Sequence, residues 1–250
     1  EEYQVDPALC FPSAEEMLQR KKLSDVMFIC TQDRQHFGHA MKAMEKGYDL
    51  LLEKPISPSL EECRQIQETA ERLGRKVVVC HVLRYTPFYQ FLYQTVRSGE
   101  IGQVVAIQAI ENVGYWHQAH SFVRGNWRNS QESSPMILQK SCHDMDILLY
   151  LLGDKRAKTI SSVGGLSFFC EKNYNAETMA EKCVSCPQKD VCAYSAVRIY
   201  GTKKIKSIVF DMSSAEKINE SLGNNKYGRC VFKCDNNVCD HQSSSILFDD

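Results

Sequence analysis

The sequence predicts an α/β protein whose N-terminal part is a parallel sheet with helical crossovers. Short apolar runs lie at residues 25–31, 49–53 and 76–80, and a helical apolar pattern fills each interval between them. Parallel strands need such a crossover, so strand, helix, strand in this order argues against hairpins. Gly47 and Gly74 fall where the two helical patterns end, as C-terminal caps do.

Residues 25–31, Asp-Val-Met-Phe-Ile-Cys-Thr, pass from apolar to polar, the pattern of a buried strand opening into a loop. Phe37, Ala40, Met41 and Met44 then recur at helical spacing. Leu50-Leu51-Leu52 fits a parallel strand covered on both faces, ending in Glu53-Lys54 and stopped by Pro55. The carboxyl end of such a strand is where open α/β sheets place ligands, although spacing alone also allows a surface ion pair there. Ser59 and Glu62 have the spacing of a capping box, and Leu60, Cys63, Ile66, Ala70 and Leu73 make the stripe of the helix they open. A β-branched strand at 76–80, a loop at 81–86 and a helix from Pro87 through Val96 complete this part.

The texture changes at Gly99-Glu100-Ile101-Gly102, which places a domain boundary between residues 1–98 and 99–250. Residues 104–113 read as a long strand and 114–135 as a polar, aromatic, irregular segment. A helix is expected over 141–152 with Met145, Leu148, Leu149 and Leu152 on one stripe and Gly153 at its end. At about 100° per residue His143 lies nearly opposite that stripe, turned toward a cleft. Further strands are expected at 159–163, 207–211 and 229–233.

Composition narrows the function. A chain of 250 residues that is 43% hydrophobic can build one large core or two ordinary ones. Formal net charge is −1 and Lys203-Lys204-Ile205-Lys206 is a short isolated basic run, so no nucleic-acid partner is expected. No apolar stretch approaches the ~20 residues of a membrane span and no leader opens the sequence, so the expectation is a cytoplasmic protein without a membrane partner. Twelve cysteines beside a normal core read as thiols or metal ligands more readily than as a disulfide framework. Cys183-x-x-Cys186 with Cys192 offers three ligands to one ion, and Cys230 or Cys234 a fourth if packed nearby. Structural zinc, reduced thiols, a disulfide and an iron–sulfur cluster all remain open for this group.

Five segments in order carry a family resemblance: Thr31-Gln32-Asp33-Arg34-Gln35-His36, Glu53-Lys54-Pro55, His81-Val82-Leu83-Arg84-Tyr85, Gly99-Glu100-Ile101-Gly102 and Cys142-His143-Asp144-Met145-Asp146. In these the chain resembles the Gfo/Idh/MocA family of NAD(P)-dependent oxidoreductases, which act mainly on sugars and cyclitols. The resemblance implies a Rossmann-type parallel-sheet domain followed by a C-terminal α/β domain with a large open, mostly antiparallel sheet that often mediates oligomers, here a dimer or tetramer. It implies NAD or NADP as cofactor, Thr31, His36, Glu53, Lys54 and Arg84 on the cofactor side, and Lys54 with His143 as the catalytic pair. It also marks two departures. None of the thirteen glycines forms the family's Gly-x-Gly-x-x-Gly turn, and residues 1–9 look like the loop after the family's second strand, so the first β-α-β portion is expected to be missing. The C-terminal end is likewise expected to stop before the last family strands. Where many members carry an aspartate four residues before the histidine, this chain has Gln139, which can hydrogen-bond a hydroxyl but cannot take its proton.

The chemistry fits that reading. Oxidising a carbinol with nicotinamide needs a proton acceptor on the hydroxyl, a load that falls here on His143 and Lys54. Lys140 and Asp146, three residues either side of His143, can tune its imidazole with opposite signs. Trp116, His120, Arg124, Trp127 and Arg128 crowd the irregular segment, where rings can stack on a sugar and cations fix its hydroxyls; as core anchors and rim charges they are equally explained. The expected function is hydride transfer between nicotinamide and a sugar-like or cyclitol hydroxyl. The alternatives are a non-catalytic sensor on the same fold, or a glycosidase using NAD transiently.

Overall fold

The computed structural model describes residues 4–202 and 210–249, and the chain divides into two compact units. The first is Glu1–Glu100 with Leu138–Tyr150, and the second is Ile101–Ile137 with Leu151–Asp250.

In the first unit, strands β1 (Val26–Ile29), β2 (Asp49–Leu52) and β3 (Val77–Val79) form a parallel sheet in that order, with Ile29 beside Leu52 and Leu52 beside Val79. Helices α1 (Ala14–Gln19), α2 (His36–Glu45), α3 (Leu60–Leu73) and α4 (Pro87–Arg97) alternate with them. Met27, Ile29, Leu50 and Leu52 point to one face and bury against Ala40, Ala43 and Met44 of α2 and Ile66 and Ala70 of α3. On the other face Phe28 is 69% exposed, with Val26 and Val78 also open. The expectation of a sheet covered on both faces is therefore corrected: among the described residues, β1 alternates exposed and buried because helices pack on one side only.

The helix ends follow their sequences. Ser59 caps α3 by accepting from the Glu62 N–H at 3.3 Å, and Gly74 closes it at φ 63°, a left-handed turn that favours glycine. The Glu62 carboxylate departs from the capping box and takes the Ser57 hydroxyl. Pro87 opens α4 behind the cap Thr86, whose hydroxyl accepts from Tyr89.

The second unit holds α5 (Tyr115–His117), which runs into a π-helical segment at Gln118–Arg124. α6 (Met136–Gln139) and α7 (Cys142–Leu152) carry the chain across both units. Strand β4 (Ala157–Gly165), α8 (Ala196–Gly201), α9 (Ala215–Asn224) and β5 (His241–Phe248) follow, with β4 and β5 paired antiparallel. The core of this unit joins Phe169, Ile199, Tyr200, Leu222, Tyr227 and Val231. Gly228 lies so close to α9 that a Cβ there would stand 1.7 Å from the Leu222 carbonyl oxygen. Gly228→Ala is expected to destabilise by at least the ~1–3 kcal/mol of ordinary overpacking, because the obstacle is backbone; urea melts followed by tyrosine fluorescence check this.

Several strand expectations change. Residues 104–113 find no ladder among the described residues, and Val105 is 96% exposed. At 229–233 only Arg229 bridges, antiparallel to Lys182, before the chain turns. Of 207–211, residues 207–209 lie outside the described residues and the rest is irregular. β5 was hidden in the sequence by Ser243-Ser244-Ser245, whose polarity masks its alternation.

Candidate active site

Because β1, β2 and β3 run parallel and in register, Thr31, Glu53-Lys54-Pro55 and His81 leave the sheet at one edge. The Glu53 N–H donates to Ile29 and the Cys80 N–H to Leu52, at 2.9 and 2.8 Å, extending the ladder past the strands. His36, only 1% exposed, lies under this edge with Nδ1 2.8 Å from the Pro55 carbonyl and Nε2 3.0 Å from the Thr31 carbonyl. The Thr31 hydroxyl lies 3.0 Å from His39 Nδ1, whose Nε2 lies 3.2 Å from Glu15. Thr31 and His36 thus shape the two loops from beneath, and the Lys54–Pro55 peptide bond between them is cis.

Lys54 uses one of its ammonium donors on the Gln139 carbonyl, Nζ to O 2.8 Å. That bond ties the β2 loop to the turn before α7. A second tie is Arg84, whose Nε and Nη2 grip both carboxylate oxygens of Asp146 at 2.7 and 2.6 Å while its guanidinium lies over Tyr150. Tyr150 in turn stacks on Tyr93 of α4, centroids 4.2 Å apart. These pairs explain why Leu138–Tyr150 groups with the first unit, so that His143 and Lys54 lie in one body.

The buried side chains of α7 are Asp146, Ile147 and Leu151, whereas Leu149 is 45% exposed. At helical spacing His143 shares the face of Ile147, Asp146 and Leu151, which corrects the expected stripe of Met145, Leu148, Leu149 and Leu152. Besides the expected stripe, Ile147 and Leu151 put apolar side chains on a second side of this helix, so apolarity alone does not choose the buried one. His143 is half-buried, with the ring of His81 edge-on at a centroid distance of 6.1 Å. Burial pushes the His143 imidazole down to about 4, assisted by the charges of Lys54, His81 and Lys140 and opposed by Asp146. Burial also lowers His81 despite Asp146, whose Oδ1 is 3.9 Å from its Nε2, so both rings are neutral at neutral pH. The same burial drives the neighbouring Cys142 thiol up to about 11. The Nδ1 atoms of His81 and His143 are both buried without a hydrogen-bond partner. Unpaired buried groups are costly and concentrate at sites that take up a ligand. His81 stands two residues past the end of β3 in the sequence, but no spacing rule points to it.

The aromatic and cationic residues of the irregular segment lie in the second unit. His120 Nδ1 is 2.6 Å from the Tyr200 hydroxyl and its ring stacks on Tyr227; burial pushes its imidazole down to about 4. Arg124, 1% exposed, donates to the Arg229 and Tyr194 carbonyls at 2.7 and 2.8 Å. Arg128 grips Asp235 and also Glu132, which holds the Asp235 carboxyl well below its usual range. Trp127 packs on Phe122, Met136 and Val238, while Trp116 stacks on His117 and stays partly open. His120, Arg124, Arg128 and Trp127 are thus engaged with the protein itself. Gln139 is 2% exposed and Lys140 half-buried, both in the first unit near Lys54 and His143.

All twelve cysteines are free thiols. Cys183, Cys186, Cys192 and Cys230 line one cavity, but among the described residues no three metal-ligating side chains converge in a coordination geometry. The expected zinc set is in this respect corrected.

Residues 1–81 match the model of the Gfo/Idh/MocA oxidoreductase family described as its NAD-binding Rossmann fold, and residues 94–223 match the model of its C-terminal α/β domain. The chain belongs to the Gfo/Idh/MocA family. It is 26% identical over 183 residues to the putative oxidoreductase YteT of Bacillus subtilis, covering 72% of this chain and 42% of that protein. It is 27% identical over 133 residues to inositol 2-dehydrogenase 2 of Saccharopolyspora erythraea, covering 52% of this chain and 36% of the relative. In structure it is similar to an inositol dehydrogenase homologue of Azotobacter vinelandii complexed with NAD+, with a TM-score of 0.59, 20% identity, and coverage of 67% of this chain and 45% of that one. The chain spans less than half the length of each of these relatives.

The family's nicotinamide cofactor can be tested against the residues present. Three parallel strand ends, the Lys54 ammonium and two unpartnered imidazole nitrogens fit the reacting end of a dinucleotide and its substrate. Its pyrophosphate would need backbone N–H groups in a glycine-rich turn, and none of the thirteen glycines makes that pattern.

Proposed function

We propose that the chain carries the reacting end of an NAD(P)-dependent dehydrogenase that oxidises or reduces a hydroxyl-bearing carbon of a sugar or cyclitol. The observation that carries the reading is His143: half-buried, neutral, with an unpartnered Nδ1, in the field of the Lys54 ammonium at the sheet's carboxyl edge. When bound, the nicotinamide exchanges the hydride with the carbon. The neutral His143 imidazole takes the hydroxyl proton, and Lys54, held by Gln139, donates to the same oxygen and opposes its developing negative charge. Gln139 lacks a proton-accepting group and serves by fixing Lys54 through its backbone carbonyl. The substrate class rests on relatives named for inositol and glucosides. Twelve free thiols support a reducing, cytoplasmic setting, and Ile160, Val163 and Leu247, open on the β4–β5 ladder, support self-association.

The intact protein is expected to change NADH absorbance with at least one polyol, cyclitol or sugar from a broad panel. Saturable dinucleotide binding without turnover on any of them would instead favour the sensor reading, which Gln139 in place of aspartate supports. The 250-residue chain alone is expected to give no saturable NADH fluorescence change in the micromolar range, because its sequence lacks the Gly-x-Gly-x-x-Gly turn whose N–H groups hold a pyrophosphate.

A further inference from the structure

The dehydrogenase reading uses Lys54 and His143 and leaves the ring beside them, His81, without a role. Two short turns of chain meet there, both within the first unit. After β3 the His81 N–H donates to Val79 O and the Arg84 N–H to His81 O, so one 3₁₀ turn carries His81 and Arg84 three residues apart. One turn of α7 carries His143 and Asp146 at the same spacing. The two turns contact each other in pairs. Arg84 grips both oxygens of Asp146, His81 Nε2 lies 3.9 Å from Asp146 Oδ1, and the His81 ring stands edge-on to His143 at 6.1 Å between centroids.

The nitrogen not yet accounted for on each of these rings is buried. It is Nδ1 in both, and neither has a hydrogen-bond partner. A neutral imidazole carries one donor and one acceptor nitrogen, and which is which follows from what the surroundings can accept. The Asp146 carboxylate has lone pairs to spare beside its bonds to Arg84 and can only accept, so it favours a proton on the His81 nitrogen nearest to it, Nε2. His81 Nδ1 is then an acceptor. The cations that act on His143, Lys54 and Lys140, have only protons to give and cannot receive one from its Nδ1. Arg84 stands in the same position toward His81.

We infer that His81 is a positioning residue: held by Asp146 through its Nε2–H, it accepts the Nδ1–H of His143 and so keeps the His143 Nε2 lone pair for the substrate hydroxyl. The hydroxyl rests on the dehydrogenase reading; the proton arrangement of the two rings does not. In the reacting step the hydroxyl proton passes to His143 Nε2, the O–H electron pair forms the second carbon–oxygen bond, and the carbon gives up its hydride to the nicotinamide. The Nδ1–H of His143 stays in its bond to His81 throughout, so the imidazolium that forms is already paired on that side. A bond of ~2.9 Å between the two nitrogens brings the rings nearer than they stand here, as catalytic hydrogen bonds that are long without substrate commonly tighten when it binds.

The test is nitrogen-15 NMR of the intact protein, labelled at histidine, at neutral pH where both rings are neutral. The expected result is His143 protonated at Nδ1 and His81 at Nε2. Free imidazole side chains favour Nε2–H, so the form expected of His143 requires an acceptor at its Nδ1. His81→Phe keeps a flat ring without the acceptor and is expected to return His143 to Nε2–H. With any polyol that the intact protein oxidises, it should lower kcat/KM by about tenfold or more, short of the roughly 10²–10⁴-fold loss when the acid–base group itself is removed. His81→Asn, whose amide oxygen can stand in for Nδ1, should restore most of both. His143 protonated at Nε2 in the unaltered protein, or a tautomer indifferent to His81→Phe, overturns the inference, and so does an equal kcat/KM in all three proteins. Turnover lost in His143→Gln but intact in His81→Phe overturns the role of His81 alone, whereas turnover that survives His143→Gln overturns the dehydrogenase reading with it. Should His81→Phe fail to fold, the tautomer of His143 in the unaltered protein and in His81→Asn decides.

Discussion

Replacing His143 by glutamine is expected to lower kcat for the polyol reaction by about 10²–10⁴-fold, the usual contribution of a positioned acid–base group. The pH dependence separates this role from a structural one. Burial and Lys54 hold the folded imidazole at about 4, below the unfolded value of 6.5, so the proton acceptor is present throughout the neutral range. The acid limb of kcat/KM in the unaltered enzyme, which reports the free protein, should therefore lie near 4. Lys54→Met removes the largest charge that depresses His143, so the limb moves upward, while burial, the larger cause, keeps it below 6.5. A limb that stays in place in that variant would show that Lys54 does not act on His143. Stability follows the same titration. The folded pKa is depressed, so the contribution is present above the unfolded value and is lost as the pH falls from 6.5 through about 4. His120, held at about 4 in the second unit, titrates in the same window. His143→Gln should thus shrink the acid-dependent loss of stability without abolishing it, as denaturant melts at pH 4 and 7 would record.

Much of the first unit was legible because local signals agreed with one another: apolar runs gave strands, and Ser59, Gly74 and Pro87 bounded helices where the structure has them. Lys54 was legible as the residue delivered by a buried strand. What makes it a candidate catalytic group was not, because its bond to Gln139 spans 85 positions and the Arg84–Asp146 grip 62. Periodicity also fails on α7, where Ile147 and Leu151 make a second apolar side beside the Met145, Leu148, Leu149 and Leu152 stripe, and the buried face is the one that carries His143 and Asp146. In the second unit the reading of Arg124 and Arg128 as substrate groups rested on residue type. Their fate as interior struts depended on carbonyls and carboxylates beyond position 190 that no local pattern announces. The strand expected at 104–113 shows the same limit, since a strand exists only where another chain segment completes its ladder.

Arg84→Ala is expected to cost about 2–3 kcal/mol of stability, somewhat less than the ~3–5 kcal/mol of a fully buried pair, because Arg84 is 38% exposed while the Asp146 side chain is only 9% exposed. The loss comes from the carboxylate left behind. Without the guanidinium, the buried Asp146 side chain loses its ion-pair partner, and the nearest basic group left to its Oδ1 is the His81 Nε2 at 3.9 Å. The deficit should therefore be partly repaid by protonation of His81: Asp146 raises its pKa and Arg84 lowers it, so removing Arg84 moves the His81 resonance titration upward in NMR. Arg84→Ala/Asp146→Asn removes the stranded charge and should recover part of the lost stability, giving a coupling that two unrelated surface residues would lack. The consequence reaches the reacting group, because Asp146 lies one helical turn from His143 and is what fixes α7 against the loop after β3. A purely structural loss would lower the melting midpoint and leave kcat per folded molecule unchanged; a pair that positions His143 lowers kcat at full folding, with Asp146→Asn alone milder than Arg84→Ala because the neutral amide can still accept from the guanidinium.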